Sequence, residues 1–263
     1  AKDPSVIGVV SKKKKQEPRT SAGGRVGART VVIDAGHGGK DSGAIGPRRT
    51  MEKDINLMVA KALADKLGKE KNVRVVLTRE RDEFMTLNQR TALAQSVQGD
   101  IFVSIHCNSS LSSKAAGFEV YILSPDASDE AAAAVARFEN SVVHLEAQKG
   151  DNASKLGGLL ASMAVYEFIN ESSGLGAHLC RGIKKHSPID KTAVREADFH
   201  VLRLAQMPGV LVELDYISNP LSELRLRSSR FRNQLVEGLS EGLINYINSL
   251  PEKSPPVTTA KWD

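Results

Sequence analysis

Apolar residues in this chain fall into short continuous runs separated by longer stretches of helical spacing. Residues 30–34 (TVVID), 73–78 (VRVVLT), 101–107 (IFVSIHC), 117–123 (GFEVYIL) and 210–213 (VLVE) predict buried strands, because runs this short and rich in β-branched residues suit strands better than helices. Between them, 52–67 places Leu57, Ala60, Leu63, Ala64 and Leu67 on one helical face, 87–98 predicts a short helix, and 128–149 and 153–171 predict two more. Residues 229–250 close the pattern, with Phe231, Leu235, Leu239, Leu243 and Ile247 four apart. Strands interleaved with helices predict one three-layer α/β domain with a mostly parallel or mixed sheet.

The periodic pattern stops at both ends. Residues 1–28 are rich in Lys, Gly, Ser and Pro and read as a disordered basic linker, and 251–263 as a second tail, leaving 29–250 as the domain. The first 29 residues hold Lys2, Lys12, Lys13, Lys14, Lys15, Arg19, Arg25 and Arg29 against Asp3 and Glu17, which is +6 of the total +5 and leaves the rest at −1. A nucleic-acid-binding domain is therefore not expected, since the core carries no net positive field. The sequence shows no secretory leader in its first residues and no apolar run near the roughly 18 residues of a membrane span. Cys107 and Cys180 form no CxxC pair, which argues against a thiolate zinc site; a disulfide between them stays open.

Ligand sites of open α/β sheets form beyond the carboxyl ends of strands. His37 follows TVVID within AGHGG, His106 closes IFVSIH, Glu213 closes VLVE, and Glu52 opens a helix after a loop, 38–51, that can fold back beside His37. Two imidazoles and a carboxylate form a common catalytic zinc set with a fourth position left for water. A further carboxylate is then needed to take and return a proton, and Glu213 is the free candidate. Each residue also has a plainer use. Gly-His-Gly is commonly just a loop, a strand-end His is commonly a satisfied polar residue, Glu52 suits a helix N-terminus, and Glu213 could pair with an arginine. His144, His178, His186 and His200 have no matching partners in the pattern.

The strings TVVIDAGHGGKDSGAIG, MEKDINL, VVLTRERDEFMTLNQRTALA, DIFVSIHCNSS and MPGVLVELDYISNP, in that order, resemble the zinc-dependent N-acetylmuramoyl-L-alanine amidases that separate daughter cells, the Amidase_3 family. The resemblance implies a twisted mixed sheet flanked by helices. It assigns zinc ligation to His37, Glu52 and His106, catalysis to Glu213, and substrate or supporting roles to Arg90 and Asn108. The implied reaction is cleavage of the amide between the lactyl group of N-acetylmuramic acid and the first L-alanine of the peptidoglycan stem, in the periplasm, by a monomer. Other zinc peptidases of the wall and a catalytically silent wall-binding protein are the competing readings. One departure stands out: Asp215 occupies a position where the family usually has glycine, adding an acidic group expected near the site.

Residues 124–185 are longer than a simple connection between strands requires. The resemblance implies a helical regulatory insert that covers the zinc until an activator protein displaces it. Ala131, Ala134, Val135, Phe138, Val142 and Leu145 predict an apolar face, bordered by Glu139. A Glu beside an apolar face either pairs or faces solvent at its rim; if an acid here blocks the zinc, Glu139 is the expected ligand and Glu146 the second choice.

Overall fold

Side chains alternate between the two faces of each strand, and that alternation sorts this chain's apolar and polar residues. The structure, a computed structural model, describes residues 27–146 and 159–252 of the 263. All but the last two residues of the expected basic linker, all but the first two of the expected C-terminal tail, and residues 147–158 of the expected insert lie outside the described residues.

Six strands form one sheet: β1 (Arg29–Ala35), β2 (Val73–Leu77), β3 (Ile101–Asn108), β4 (Phe118–Leu123), β5 (Thr192–Ala197) and β6 (Gly209–Tyr216), in the order β2-β1-β3-β6-β4-β5. The first four in that order are parallel; β4 runs antiparallel to β6 and parallel to β5. The sheet is therefore mixed, and all five expected strands are present. The sixth, β5, was not legible because its TAVREA alternates half-exposed and exposed residues at a sheet edge and contains no apolar run.

Helices cover both faces. On one side lie α1 (Glu52–Leu67), α5 (Leu159–His186) and α8 (Ser229–Ser249), packed on Val31, Ile33, Val103, Ile105 and Val212. On the other lie α2 (Leu87–Ser96), α3 (Glu130–Asn140) and α6 (His200–Ala205), over Val32, Phe102, Tyr121 and Leu211. α4 (Val143–Glu146) follows α3, and α7 (Pro220–Arg227) precedes α8. The α3-side face of the sheet changes character along the strands. β1 runs from Val32 to Asp34 and β3 from Phe102 through Ser104 and His106 to Asn108, while β6 runs from Leu211 to Glu213. The same face is apolar in mid-sheet and polar at the carboxyl edge.

Two helix expectations are revised. The stretch 128–149 is broken after Asn140, whose side chain donates to the Asp198 carbonyl (2.7 Å) and accepts from the His200 amide (2.9 Å). The stretch 153–171 is instead α5, which runs on to His186. Ser172, Ser173, Gly174 and Gly176 resemble a helix stop, but Gly176 lies against Val120 and Val194, where a side chain would crowd them, and the helix continues through it. α5 buries Leu175, Leu179 and Ile183 and meets α8 at a close crossing. This helix connects the parallel neighbours β4 and β5 as part of the packed fold, so α3 and α4 are the elements of 124–185 left over the polar edge.

At the α5–α8 crossing, a Cβ added to Gly182 would lie 2.1 Å from the Gly238 carbonyl oxygen. Gly182→Val is therefore expected to cost about 1–3 kcal/mol through overpacking, enough to lower the melting temperature by several degrees. An unchanged thermal midpoint would show that these helices separate without cost.

Candidate metal centre

At the carboxyl edge, the register places His106 of β3 beside Glu213 of β6, and Glu213 beside Glu119 of β4. β1 ends one residue short of this row, at Ala35, and the chain turns over the edge through Gly36. A Cβ on Gly36 would sit 2.3 Å from Nε2 of His106, so only glycine lets the turn pass beneath that ring. His37 follows with φ 59°, a left-handed backbone that side-chain-bearing residues adopt at a cost of roughly 1–3 kcal/mol. Arg90 of α2 holds this turn: Nη1 donates to Asp34 and the Ala35 carbonyl, and Nη2 to the His37 carbonyl, each at 2.7 Å. Asp34 also accepts from Thr78 and Ser104 at 2.7 Å. Burial opposes the charge on Asp34, but Arg90 and these hydroxyls outweigh it and hold its pKa below the usual range.

Loop 38–51 folds back as expected and delivers Glu52 at the start of α1. Glu52 is fully buried; Oε2 accepts from the Ala44 amide (2.8 Å), and Oε1 from the Cys107 amide (3.0 Å) and Asn56 (3.1 Å). Glu139 descends from α3 on the opposite side. The buried stripe of α3 is Ala132, Ala136 and Glu139, while Ala131, Ala134 and Phe138 of the expected apolar face are exposed. The revision has a steric reason: small alanines let the helix lie close to the sheet, and closeness brings the Glu139 carboxylate to the edge. Leu145 is also exposed, and the side chain of Glu146 lies outside the described residues.

One ligand atom each from His37, Glu52, His106 and Glu139 lies within 4.8 Å of the others. His37 Nε2 is 3.1 Å from Glu52 Oε1 and 3.2 Å from Glu139 Oε2; His106 Nδ1 is 3.0 and 2.9 Å from the same two oxygens. Bonds of 2.0–2.2 Å around a tetrahedral ion separate ligand atoms by about 3.3 Å, so the spacing suits a small cation. The hydrogen bonding points the same way: His37 Nε2 and Glu139 Oε2 are buried without a hydrogen-bond partner despite their closeness. Their lone pairs share a centre, as donors to one ion would. On the far side of the ring, His37 Nδ1 lies 2.8 Å from Asp41 Oδ2, the arrangement that fixes a ligating imidazole's tautomer. No other group of three or more such ligands occurs among the described residues. His178 packs edge-on against Tyr246, and His186 pairs with Glu241.

Electrostatics follow from four titratable groups in one dry space. Burial alone would lower the pKa of His106, but the nearby charge of Glu139 and the hydrogen bond to Glu52 raise it to about 10. His37 is raised well above its ordinary value, with Glu52 and Glu139 overcoming burial. Glu52 is correspondingly held well below the carboxylate range by both imidazoles, against its burial. Glu213 goes the other way, pushed well up by burial and then by the negative charge of Glu139. Both of its oxygens are buried without a hydrogen-bond partner.

The sequence-selected residues separate into two groups. His37, Glu52, His106 and Glu139 converge, with Glu213 in the next strand beside His106. Arg90 is buried beneath the turn with its guanidinium engaged there, and Asn108 is buried, donating to Glu119 at 3.0 Å. Asp215 is a correction. Its φ is not positive, and its carboxylate accepts from the Gly117 amide, Ser222 and Arg225. Those contacts tie it to α7, so it adds no free acidic group to the site. The sequence reading missed Asp41, four residues past His37, and Glu119, the one charged residue in the buried strand β4. Both were detectable as acids out of place among glycines or apolar residues. Cys107 and Cys180 are both free, so the disulfide left open is not formed.

Comparison with known proteins agrees with this geometry. The family model described as N-acetylmuramoyl-L-alanine amidase (Amidase_3) matches residues 31–245. AmiA of Escherichia coli K12 is 34% identical over 84% of this chain and 77% of its own length. AmiC of Escherichia coli O6:H1 is 32% identical over 88% of this chain; the chain spans about half, 55%, of that relative. The solved AmiC2 amidase of Nostoc punctiforme superimposes with a TM-score of 0.65 at 30% identity, over 85% of this chain and 99% of that one.

Two expectations follow from the centre. With a pKa of about 10, His106 holds its proton at neutral pH in the metal-free chain, whereas a metal ligand must be neutral. Cation binding should release protons and strengthen as pH rises from 6 to 8, up to tenfold per unit for each proton displaced. Titration calorimetry in buffers of different ionisation enthalpy measures this directly; a pH-independent affinity contradicts it. Asp41→Asn should weaken metal binding by roughly 10–100-fold, read by competition with a chelating dye, and an unaltered affinity would remove Asp41 from the site.

Proposed function

The chain belongs to the N-acetylmuramoyl-L-alanine amidase family, and on that premise we propose that it hydrolyses the amide joining N-acetylmuramic acid to the first L-alanine of peptidoglycan stem peptides. The observation that carries the proposal is the convergence of His37, Glu52 and His106 at one sheet edge beside an unpaired Glu213. These three would hold zinc, which their donor types suit. When bound, zinc supplies a Lewis acid for the scissile carbonyl and for the attacking water. Glu213 takes the proton from that water and returns it to the leaving nitrogen of L-alanine, which needs an oxygen not committed to another donor. Asp41 keeps His37 in the ligating tautomer, and Arg90 keeps the strained turn under it.

Glu139 completes the reading as an inhibitory fourth ligand. A carboxylate there fills the position a water needs and offsets the cation's charge. α3 is then a plug that an activator protein must lift, and the fold of the chain would serve wall splitting between daughter cells in the periplasm, as in the division amidases its sequence resembles. The acidic side chain on α3, 2.9 Å from His106 Nδ1, supports the plug.

Two variants test the proposal. Glu213→Gln should retain metal and lose roughly 10²- to 10⁴-fold in turnover, scored on purified wall by the appearance of muramyl lactyl carboxylates; near-normal cleavage would exclude Glu213 from the chemistry. Glu139→Ala should raise basal wall hydrolysis without a partner, because a shift of 1.4 kcal/mol in the closed state changes the open fraction about tenfold. Equal or lower activity in that variant, at matched metal content and normal folding, would sink the carboxylate plug, leaving α3 to act by steric cover or not to regulate at all.

A further inference from the structure

α3 crosses the polar edge of the sheet with a carboxylate at each end. Glu139 is at the metal centre. Asp129, its N-cap, uses Oδ1 to accept from the Ala132 amide at 2.8 Å and turns Oδ2 onto the guanidinium of Arg195. Arg195 stands on the edge strand β5, beside Tyr121 of β4, and its Nε donates to Glu119 Oε1 at 2.9 Å. Glu119 is the cross-strand neighbour of Glu213, and directly opposed residues of an antiparallel pair have Cβ atoms about 4.5–5.5 Å apart. Arg195 is therefore tied to the strand row that holds Glu213, at the end of α3 opposite Glu139.

The partners of Glu119 leave it no further use. Oε2 accepts from Tyr121 (2.7 Å), Asn108 (3.0 Å) and Tyr216 (3.0 Å), while Oε1 is taken by Arg195. Glu119 is 7% exposed and Arg195's side chain 28%. A buried carboxylate thus grips one side of the guanidinium through Nε, and Nη1 on the other side meets a second, half-exposed carboxylate, that of Asp129. Arg195 balances one of those two negative charges; withdrawing α3 would remove Asp129 and leave the outer edge of the fork without a partner. A planar fork fixed in this way is the group that recognises carboxylates with geometric as well as electrostatic selectivity.

We propose that Arg195 is a specificity-determining residue that binds a free carboxylate of the stem peptide once α3 lifts, and that Asp129 occupies its place in the closed chain. The plug then imitates the substrate at two points, metal and guanidinium. Glu119, Tyr121, Tyr216 and Asn108 are positioning residues for Arg195. This inference rests on the amidase reading for the identity of the substrate, and its test separates the two.

The probe is an isolated stem peptide lacking the sugar, so that it contains no amide for the enzyme to cleave, prepared with free carboxylates and with each converted to the carboxamide. Binding is measured by calorimetry to the zinc-loaded full chain carrying Asp129→Ala and Glu139→Ala, which removes both internal competitors. At least one free carboxylate should improve affinity roughly 10–100-fold over its carboxamide, the range for a charged hydrogen-bonded pair. Adding Arg195→Gln should abolish that difference, and Arg195→Lys, which keeps charge without the fork, should restore part of it. Equal affinity for acid and amide forms, or no binding of either, overturns the proposal, as does a preference that survives Arg195→Gln. Failure of the amidase reading appears elsewhere, as intact muropeptides after incubation with the Glu139→Ala chain, whatever the peptide affinities. In the open Glu139→Ala chain, the acid-to-amide ratio of kcat/KM on cleavable muropeptides gives a second readout. It is independent of how often α3 opens, because the open fraction multiplies both rates.

Discussion

The convergence of four buried ligand atoms is the constraint on which the rest of the structure depends. Two carboxylates and two imidazoles within 4.8 Å of one another bring charge into a dry space, and burying charge is costly unless it is paired or coordinates a metal. In the metal-free chain protons on the imidazoles meet part of that demand, which is why His37 and His106 are pushed upward and Glu52 downward. The geometry of the lone pairs asks for a cation instead. His37 Nε2 and Glu139 Oε2 approach to 3.2 Å and still lack a hydrogen bond.

Much of the surrounding architecture holds this demand in place. The left-handed backbone at His37 persists because Arg90 ties its carbonyl and that of Ala35 to Asp34. Glu52 is oriented by two backbone amides and Asn56, none of which depends on a metal. Glu139 is different. Its side chain is supplied by α3, a short helix resting on alanines and fastened at its ends by Asp129 to Arg195 and by Asn140 to the Asp198 and His200 backbone. Three of the converging side chains come from the turn after β1, from β3 and from α1, and the fourth comes from a separate helix that lies over them.

Glu213 and Glu119 show how one strand row can give two acids separate roles. They are neighbours across β6 and β4, yet Glu119 receives four donors and Glu213 none. The unpaired acid sits beside His106 with both oxygens uncommitted, while the other is held by four donors, Arg195 among them. Carboxylates of the same chemistry are distinguished here by their hydrogen bonds.

The sequence by itself determined the class of fold and the elements that carry the site. Its apolar runs specify buried strands through local β preference and period, and the residues at their ends, His37, His106 and Glu213, follow directly from where each run stops. It did not determine β5, whose alternating, partly exposed residues leave no apolar run, or the continuation of α5 through glycines that serve contacts with other elements. Only the tertiary structure decided which side of α3 is buried, because a helix of mixed Ala, Val and Phe can present either side until the sheet beneath it admits the small residues and excludes Phe138. Only the tertiary structure assigned Asp215 to α7, Arg90 to the strained turn and Arg195 to Glu119 and Asp129. These contacts join residues 10 to 76 positions apart in the chain, and local preference holds no information about which distant charge a side chain will meet.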